Sequence, residues 1–176
     1  AVVFNEGGSF PLHINGRNYM MLTVGEKGVC RVRVCAEGTG GHASAPGDDQ
    51  AVQKLAEGLR RIFAAEQTLV CGSRHTQDTM RGIVGSSDWD NAAGADIFGY
   101  AGQNSIGMRN YRIGERSNVI PAEAETVLEF KLLPGSREED VKEFLDRELQ
   151  SLPVQYEILS FEPGFESHFE NSRLKD

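Results

Sequence analysis

Two stretches of this chain alternate apolar and polar residues so regularly that few local structures accommodate them. In the first, Cys30, Val32, Val34 and Ala36 fall on one side, with Arg31, Arg33 and Glu37 on the other. In the second, Ala124, Thr126, Leu128, Phe130 and Leu132 alternate with Glu123, Glu125, Glu129 and Lys131. A period of two sends successive side chains to opposite faces of a strand, so each stretch reads as a strand with one buried and one wet face. The apolar faces need a cover, and two helical stripes can supply it. One is Val52, Leu55, Ala56, Leu59, Ile62 and Phe63; the other is Val141, Phe144, Leu145 and Leu149. Asp48 or Asp49 is expected to cap the first helix by accepting from free first-turn N–H groups. Ser136 with Glu139 reads as a reciprocal capping box for the second.

Ser105–Ile113 adds another strand, and Val154, Tyr156 and Ile158 a last one. Residues 27–160 therefore run β-α-β-β-α-β. That order predicts an α+β, ferredoxin-like unit, a four-stranded antiparallel sheet with both helices on one face. The domain is expected over 26–161. Within it, 66–103 breaks the pattern with Gly, Ser, Asp and Asn clusters, Trp89, and a short stripe at Ile97-Phe98-Tyr100. It reads as a partly helical insertion, a kind of segment that often has a functional or interface role. Residues 1–25 read as two extended pieces around a Gly-rich turn, Val2-Val-Phe4 before and Tyr19–Val24 after the turn dipeptide Asn15-Gly16. From Glu162 the composition turns loop-like. The chain opens on Ala1 without Met and stops at Asp176, so both ends are expected to be cuts within a longer protein.

With 39% hydrophobic and 25% charged residues, 176 residues suffice for a core without staples. A net charge of −8 argues against nucleic acid, which needs clustered Lys and Arg. No apolar run approaches the ~20 residues that span a membrane, and the N-terminal residues do not form a signal peptide. Cys30, Cys35 and Cys71 are odd in number, and Cys30 and Cys35 point to opposite faces of one strand. Reduced thiols in a cytoplasmic protein are expected.

Taken singly, each polar candidate has an ordinary structural explanation. Glu6, within Asn5-Glu6-Gly7-Gly8, suits a surface turn; His42, in a Gly-rich loop, suits a solvent-exposed side chain. Asn118 can cap the turn before Ile120-Pro121, and Lys131 can be a solvated residue on a wet strand face. His13, His75 and His168 have no partner at ligand spacing. Together the candidates form a pattern. Gly40-Gly41-His42-Ala43-Ser44-Ala45-Pro46 follows a strand, an amphipathic helix comes next, and Ser117-Asn118-Val119-Ile120-Pro121-Ala122 opens a later strand. This order resembles the dimerisation (lid) domain of the aminoacylase, succinyl-diaminopimelate desuccinylase, acetylornithine deacetylase and carboxypeptidase family of zinc metallopeptidases. Asn5-Glu6-Gly7 resembles that family's Asp-Glu-Gly segment just upstream of the lid. The likeness covers about residues 1–65 and 104–165.

The resemblance implies a catalytic α/β domain holding two zinc ions, with residues 1–25 and 162–176 as flanking pieces of it. Glu6 would be one metal ligand. His42 would cross a homodimer interface to hold the oxyanion in the partner's active site, and Asn118 would face the substrate. An arginine thirteen residues beyond that asparagine commonly grips the substrate carboxylate; here the place holds Lys131. The implied reaction is hydrolysis of an amide bond in a small peptide or N-acyl amino acid by a peptidase, aminoacylase or deacylase. Two departures stand out: Asn5 replaces an aspartate that supports the ligand, and Lys131 lacks arginine's planar fork. The family's other zinc ligands and its general-base glutamate have no counterpart here, so the chain by itself is expected to be inactive and to bind no metal. The competing reading is a stand-alone ferredoxin-like interaction or small-molecule-sensing domain. An RNA-binding module fits poorly, because the strands lack base-stacking aromatics among basic residues.

Overall fold

A computed structural model describes residues 12–14, 17–19, 25–69, 71–73, 102–114 and 116–167. Glu6, Val2-Val-Phe4, the interior of the 66–103 insertion and the last residues lie outside this set. Two short strands, β1 (Leu12–Ile14) and β2 (Arg17–Tyr19), pair antiparallel on either side of Asn15-Gly16. After them come β3 (Gly25–Glu26), β4 (Gly28–Glu37), β5 (Gly41–His42) and α1 (Ala51–Ala64), then a 3-10 turn at Glu66–Thr68. The remainder is β6 (Ser105–Ile113), β7 (Val119–Ile120), β8 (Glu123–Leu132), α2 (Glu138–Leu149), β9 (Gln155–Glu162) and β10 (Phe165–Glu166).

The main sheet has the order β6-β8-β4-β9, with every neighbour antiparallel. This is the ferredoxin-like arrangement expected from the element order. β4 and β8 pair along their whole length, from Gly28 opposite Leu132 to Glu37 opposite Glu123. One face of that pair supplies Cys30, Val32, Val34, Leu128, Phe130 and Leu132, all at most 1% exposed. Leu55 and Ile62 of α1 and Val141, Phe144 and Leu145 of α2 close over them. Phe130 and Phe144 meet edge to face, with centroids 6.2 Å apart and planes at 79°. The other face carries cross-strand ion pairs: Arg31 with Glu129 and Glu162, and Arg33 with Glu157. None of the three cysteines is disulfide-bonded, and Cys30 and Cys35 do lie on opposite faces. No helix among the described residues is long and apolar enough to cross a membrane.

Both predicted caps differ from what forms. α1 begins after Gln50 with no side-chain cap. Asp49 instead accepts from the Thr39 hydroxyl at 3.0 Å and pairs with Lys54, which holds the loop between β4 and α1 against the helix. Ser136 is buried and donates to the Leu133 carbonyl at 2.7 Å, inside the preceding turn. The carboxylate closing the first turn of α2 belongs to Asp140, which accepts from the Arg137 backbone N–H at 2.7 Å. Arginine has no acceptor, so the box is one-sided. The stripe of α1 also sits slightly rotated: Ala51, Leu55, Gly58 and Ile62 are buried, while Ala56 and Phe63 are exposed.

The edge strand β6 has an irregular register. Ile106 and Met108 stand opposite Phe130 and Leu128 on the helix side; a bulge then intervenes, and Tyr111 and Ile113 take the same side opposite Thr126 and Ala124. Thr126, the one polar residue in β8's buried stripe, donates its hydroxyl to the Asn110 carbonyl at that bulge. Beyond the main sheet, β3 and β10 run antiparallel as the chain enters and leaves the domain. There Gly28 and Gly164 pass so closely that a Cβ on Gly28 would stand 2.5 Å from the Gly164 nitrogen.

Phe130 is fully buried between two strands and a helix, so Phe130→Ala is expected to lower the unfolding free energy by about 3–5 kcal/mol in urea titration. Leu159→Ala, at a residue 46% exposed where the β4–β9 register shifts, should change it by about 0.5 kcal/mol or less.

Candidate functional site

The loop that leaves β4 and the loop that enters β8 continue the pairing of their strands. The Gly38 N–H donates to the Ala122 carbonyl at 2.8 Å. Further out, Gly41 pairs with Ile120 and His42 with Val119, and the Ala43 N–H donates to the Asn118 carbonyl at 3.0 Å. His42 stands opposite Val119, and Asn118, 76 positions from His42 in the numbering, is the residue just before Val119, so backbone bonds draw the two segments together beyond the end of the sheet. Both are exposed, as is the rest of the loop from Thr39 to Asp49. Gly38 is required by packing, because a Cβ there would lie 2.4 Å from the Ala51 nitrogen at the start of α1. Gly41 has nothing within 4 Å of where its Cβ would be, so no group among the described residues demands glycine there.

The His42 ring is held by its neighbour Ser44. The Ser44 backbone N–H donates to Nδ1 at 3.2 Å, and the Ser44 hydroxyl lies 2.7 Å from the same nitrogen. A ring nitrogen that accepts an N–H carries no proton, so the neutral ring is protonated on Nε2. The neutral imidazole therefore offers one N–H donor, at Nε2, while Nδ1 is engaged by Ser44. Ser44 belongs to the motif, yet sequence reasoning gives it no role. Its position two residues after the histidine, where a hydroxyl side chain bonds locally, is the signal that identifies it.

Lys131 lies at the other end of β8. Eight positions separate it from Glu123, about 26 Å of strand at roughly 3.3 Å per residue. The structure therefore brings His42 and Asn118 together and holds Lys131 well apart from them. Lys131 is not a simple solvated lysine. Its Nζ is 3.2 Å from Glu129, whose carboxylate also accepts from Arg31 Nε at 3.1 Å and from Arg109 at 2.8 Å. These bonds hold the Glu129 carboxyl below its usual range, Lys131 contributing most. Arg109, at the β6 bulge, is likewise missed by sequence reasoning. The apolar spacing Ile106, Met108, Tyr111, Ile113 breaks its period of two there, a bulge signature visible in the sequence.

Other chemistry is limited. Burial pushes the Cys30 thiol up to about 11 and also raises Cys35 and Cys71, so none is a ready thiolate at neutral pH. Among the described residues no group of three His, Cys, Asp or Glu side chains could hold a metal ion, so these residues do not constitute a zinc centre.

Residues 24–157 match the family model described as Peptidase dimerisation domain. Among solved structures, the chain is similar to the di-peptidase Dug1p from Saccharomyces cerevisiae, with TM-score 0.60, 14% identity, and coverage of 82% of this chain and 38% of that one. It is also similar to the M20 family metallo-carboxypeptidase Sso-CP2 from Sulfolobus solfataricus, with TM-score 0.57, 16% identity, and coverage of 85% and 46%. An amidase of the hydantoinase/carbamoylase family from Burkholderia phymatum gives 0.51 at 13% identity, covering 81% and 31%. At these identities the likeness is one of fold, and the chain spans less than half the length of each. No curated protein sequence matches significantly.

The ring geometry is open to direct measurement. Nitrogen-15 NMR of the neutral imidazole should show His42 protonated on Nε2. Protonation on Nδ1 would contradict the Ser44 contact.

Proposed function

Because this chain belongs to the Peptidase dimerisation domain family, we propose that it is the lid of a dimeric two-zinc amidohydrolase that cleaves the amide bond of a small peptide or N-acyl amino acid. The observation that supports this reading is the backbone pairing between the His42 and Asn118 segments, both exposed beyond one end of the sheet. In the proposed enzyme His42 Nε2–H donates to the oxyanion that develops as the substrate's amide carbonyl is attacked in the partner subunit's active site. Asn118 orients the same substrate, and Lys131 attracts a substrate carboxylate. A preorganised donor aimed at such an oxyanion contributes about 3–4 kcal/mol to transition-state stabilisation. The two zinc ions belong to the catalytic part, with Glu6 as one of several ligands.

Three further features support this. The entry and exit strands β3 and β10 lie side by side, which suits a domain of about residues 26–161 inserted into a host to which 1–25 and 162–176 belong. The helix side of the edge strand β6 leaves Met108 50%, Tyr111 70% and Ile113 40% exposed, and Phe63 of α1 is also exposed. An edge strand with such an apolar row suits a two-fold, self-complementary contact with a second copy. Finally, the length of β8 between the ribbon and Lys131 suits a dimer in which each centre takes His42 and Asn118 from one protomer and Lys131 from the other. Free, protonated thiols fit a reducing compartment such as the cytoplasm.

Subunit mixing tests the arrangement. The chain alone with zinc and N-acetyl amino acids or dipeptides is expected to give no turnover. In the full-length enzyme, His42→Ala should cut kcat by about 10²–10³. Glu6→Ala should abolish activity, and mixing the two variants should restore it, since one hybrid centre has both parts. Lys131→Ala mixed with Glu6→Ala should not recover. If the first mixture stays inactive, His42 does not act across the interface.

The interface has its own test. Light scattering should find a dimer of the wild-type chain, and Tyr111→Glu should shift it to monomer while circular dichroism stays unchanged. A dimer that survives this substitution would move the contact off β6.

A further inference from the structure

We propose that Arg109, held beside Lys131 by Glu129, completes a carboxylate-binding site on the open face of the sheet, with Arg109 supplying the planar fork and Lys131 the point charge. The substrate identity rests on the amidohydrolase reading; the anion site rests on geometry alone.

Glu129, with a side chain 17% exposed, is the hub: Arg31, Arg109 and Lys131 all bond to it. Arg31 has a second carboxylate, Glu162, at 3.3 Å, and a hydroxyl, Ser160 Oγ, at 3.4 Å. Among the described residues three cations, Arg31, Arg109 and Lys131, therefore face two carboxylates, Glu129 and Glu162. On a chain of net charge −8 this local excess of positive charge stands out, and an anion would offset it.

Backbone geometry keeps the place open. Gly107 stands opposite Glu129, and a Cβ there would meet only the Glu129 carbonyl oxygen, at 3.9 Å. The residue directly opposite Glu129 on β6 thus contributes no side chain over it. Arg109 sits two residues on, within the bulge, where it has no cross-strand partner and leans back over that space to reach Glu129. One edge of its guanidinium is used by Glu129. The side chain is 55% exposed, and the remaining N–H donors of a guanidinium match a second carboxylate in fork geometry. A lysine at position 131 loses that fork, and Arg109 restores it from the neighbouring strand.

The probe is N-acetylglycine, with N-acetylglycine amide as its uncharged control, titrated into the full chain at about 0.1 M salt to screen diffuse attraction. The carboxylate should shift the Arg109 Nε–H and Lys131 resonances saturably, and the amide should not. Arg109→Gln should weaken binding about ten- to a hundredfold, with Arg109→Lys between, each with an unchanged backbone amide spectrum. In the full-length enzyme, Arg109→Gln should raise KM for carboxylate-bearing substrates, leave kcat alone, and leave KM for amidated analogues unchanged. Equal shifts by acid and amide, or an unaltered titration in Arg109→Gln, would overturn the site. A saturable, Arg109-dependent titration in a full-length protein that hydrolyses neither substrate would uphold the site and sink the amidohydrolase reading instead.

Discussion

The pairing of β4 with β8 governs the rest of this structure. Ten residues face ten in unbroken register, Gly28 to Glu37 against Leu132 to Glu123. Because side chains alternate with a period of two, a slip of one residue would send Val32 and Val34, or Leu128 and Phe130, into water and draw Arg31 and Glu129 beneath the helices. The buried face therefore locks the register. The register in turn places everything outside the sheet: past Glu37 and before Glu123 the same two strands stay paired through Gly38 and Ala122, then through β5 and β7. The position of His42 beside Asn118 is thus an outgrowth of core packing, held by backbone bonds that begin in the hydrophobic centre.

That dependence explains what was legible in the sequence. The alternation of β4 and β8 and the stripes of both helices are local patterns with one sensible burial, so the sheet and its cover could be read directly. The caps could not. Asp49 is a good capping residue in isolation, yet it spends its carboxylate on Thr39 and Lys54, ten residues before and five after. Ser136 is drawn into the turn after Leu133, which leaves Asp140 to close the helix. Both are choices between near-equal local hydrogen bonds, decided by neighbours that only the fold brings close. The ribbon belongs to a third kind: His42 and Asn118 were paired through resemblance to a family, and the backbone bonds between their loops give that pairing a physical basis. Glu6 lies outside the described residues.

The charges divide in the same way. Most ionic contacts in this acidic chain are short-range pairs at a wet surface, such as Arg60 and Arg61 with Glu57 along α1, and such pairs contribute little to stability. Glu129 differs, because its three partners come from three strands, β4, β6 and β8 itself. Its carboxylate is less exposed than any of them, so it fixes their positions rather than following them. Lys131 read alone is an ordinary solvated side chain, and only the register that sets Ser105 and Gly107 opposite Lys131 and Glu129 shows that it belongs to a cluster.

The segments at the two ends of β8 therefore carry different equipment, an imidazole beyond one end and a cationic cluster at the other. A strand paired on both sides cannot bend to bring its ends together without breaking the ladder that buries the core. A small substrate spans only a fraction of the roughly 26 Å between Glu123 and Lys131. If both ends serve catalysis, they serve different centres, and one chain must give to another what it cannot use itself. A two-fold contact through the apolar side of β6 is a simple way to meet that demand, since each copy then gives and receives the same parts. The stiffness that separates the two ends within a protomer is what a second protomer would overcome in such an arrangement.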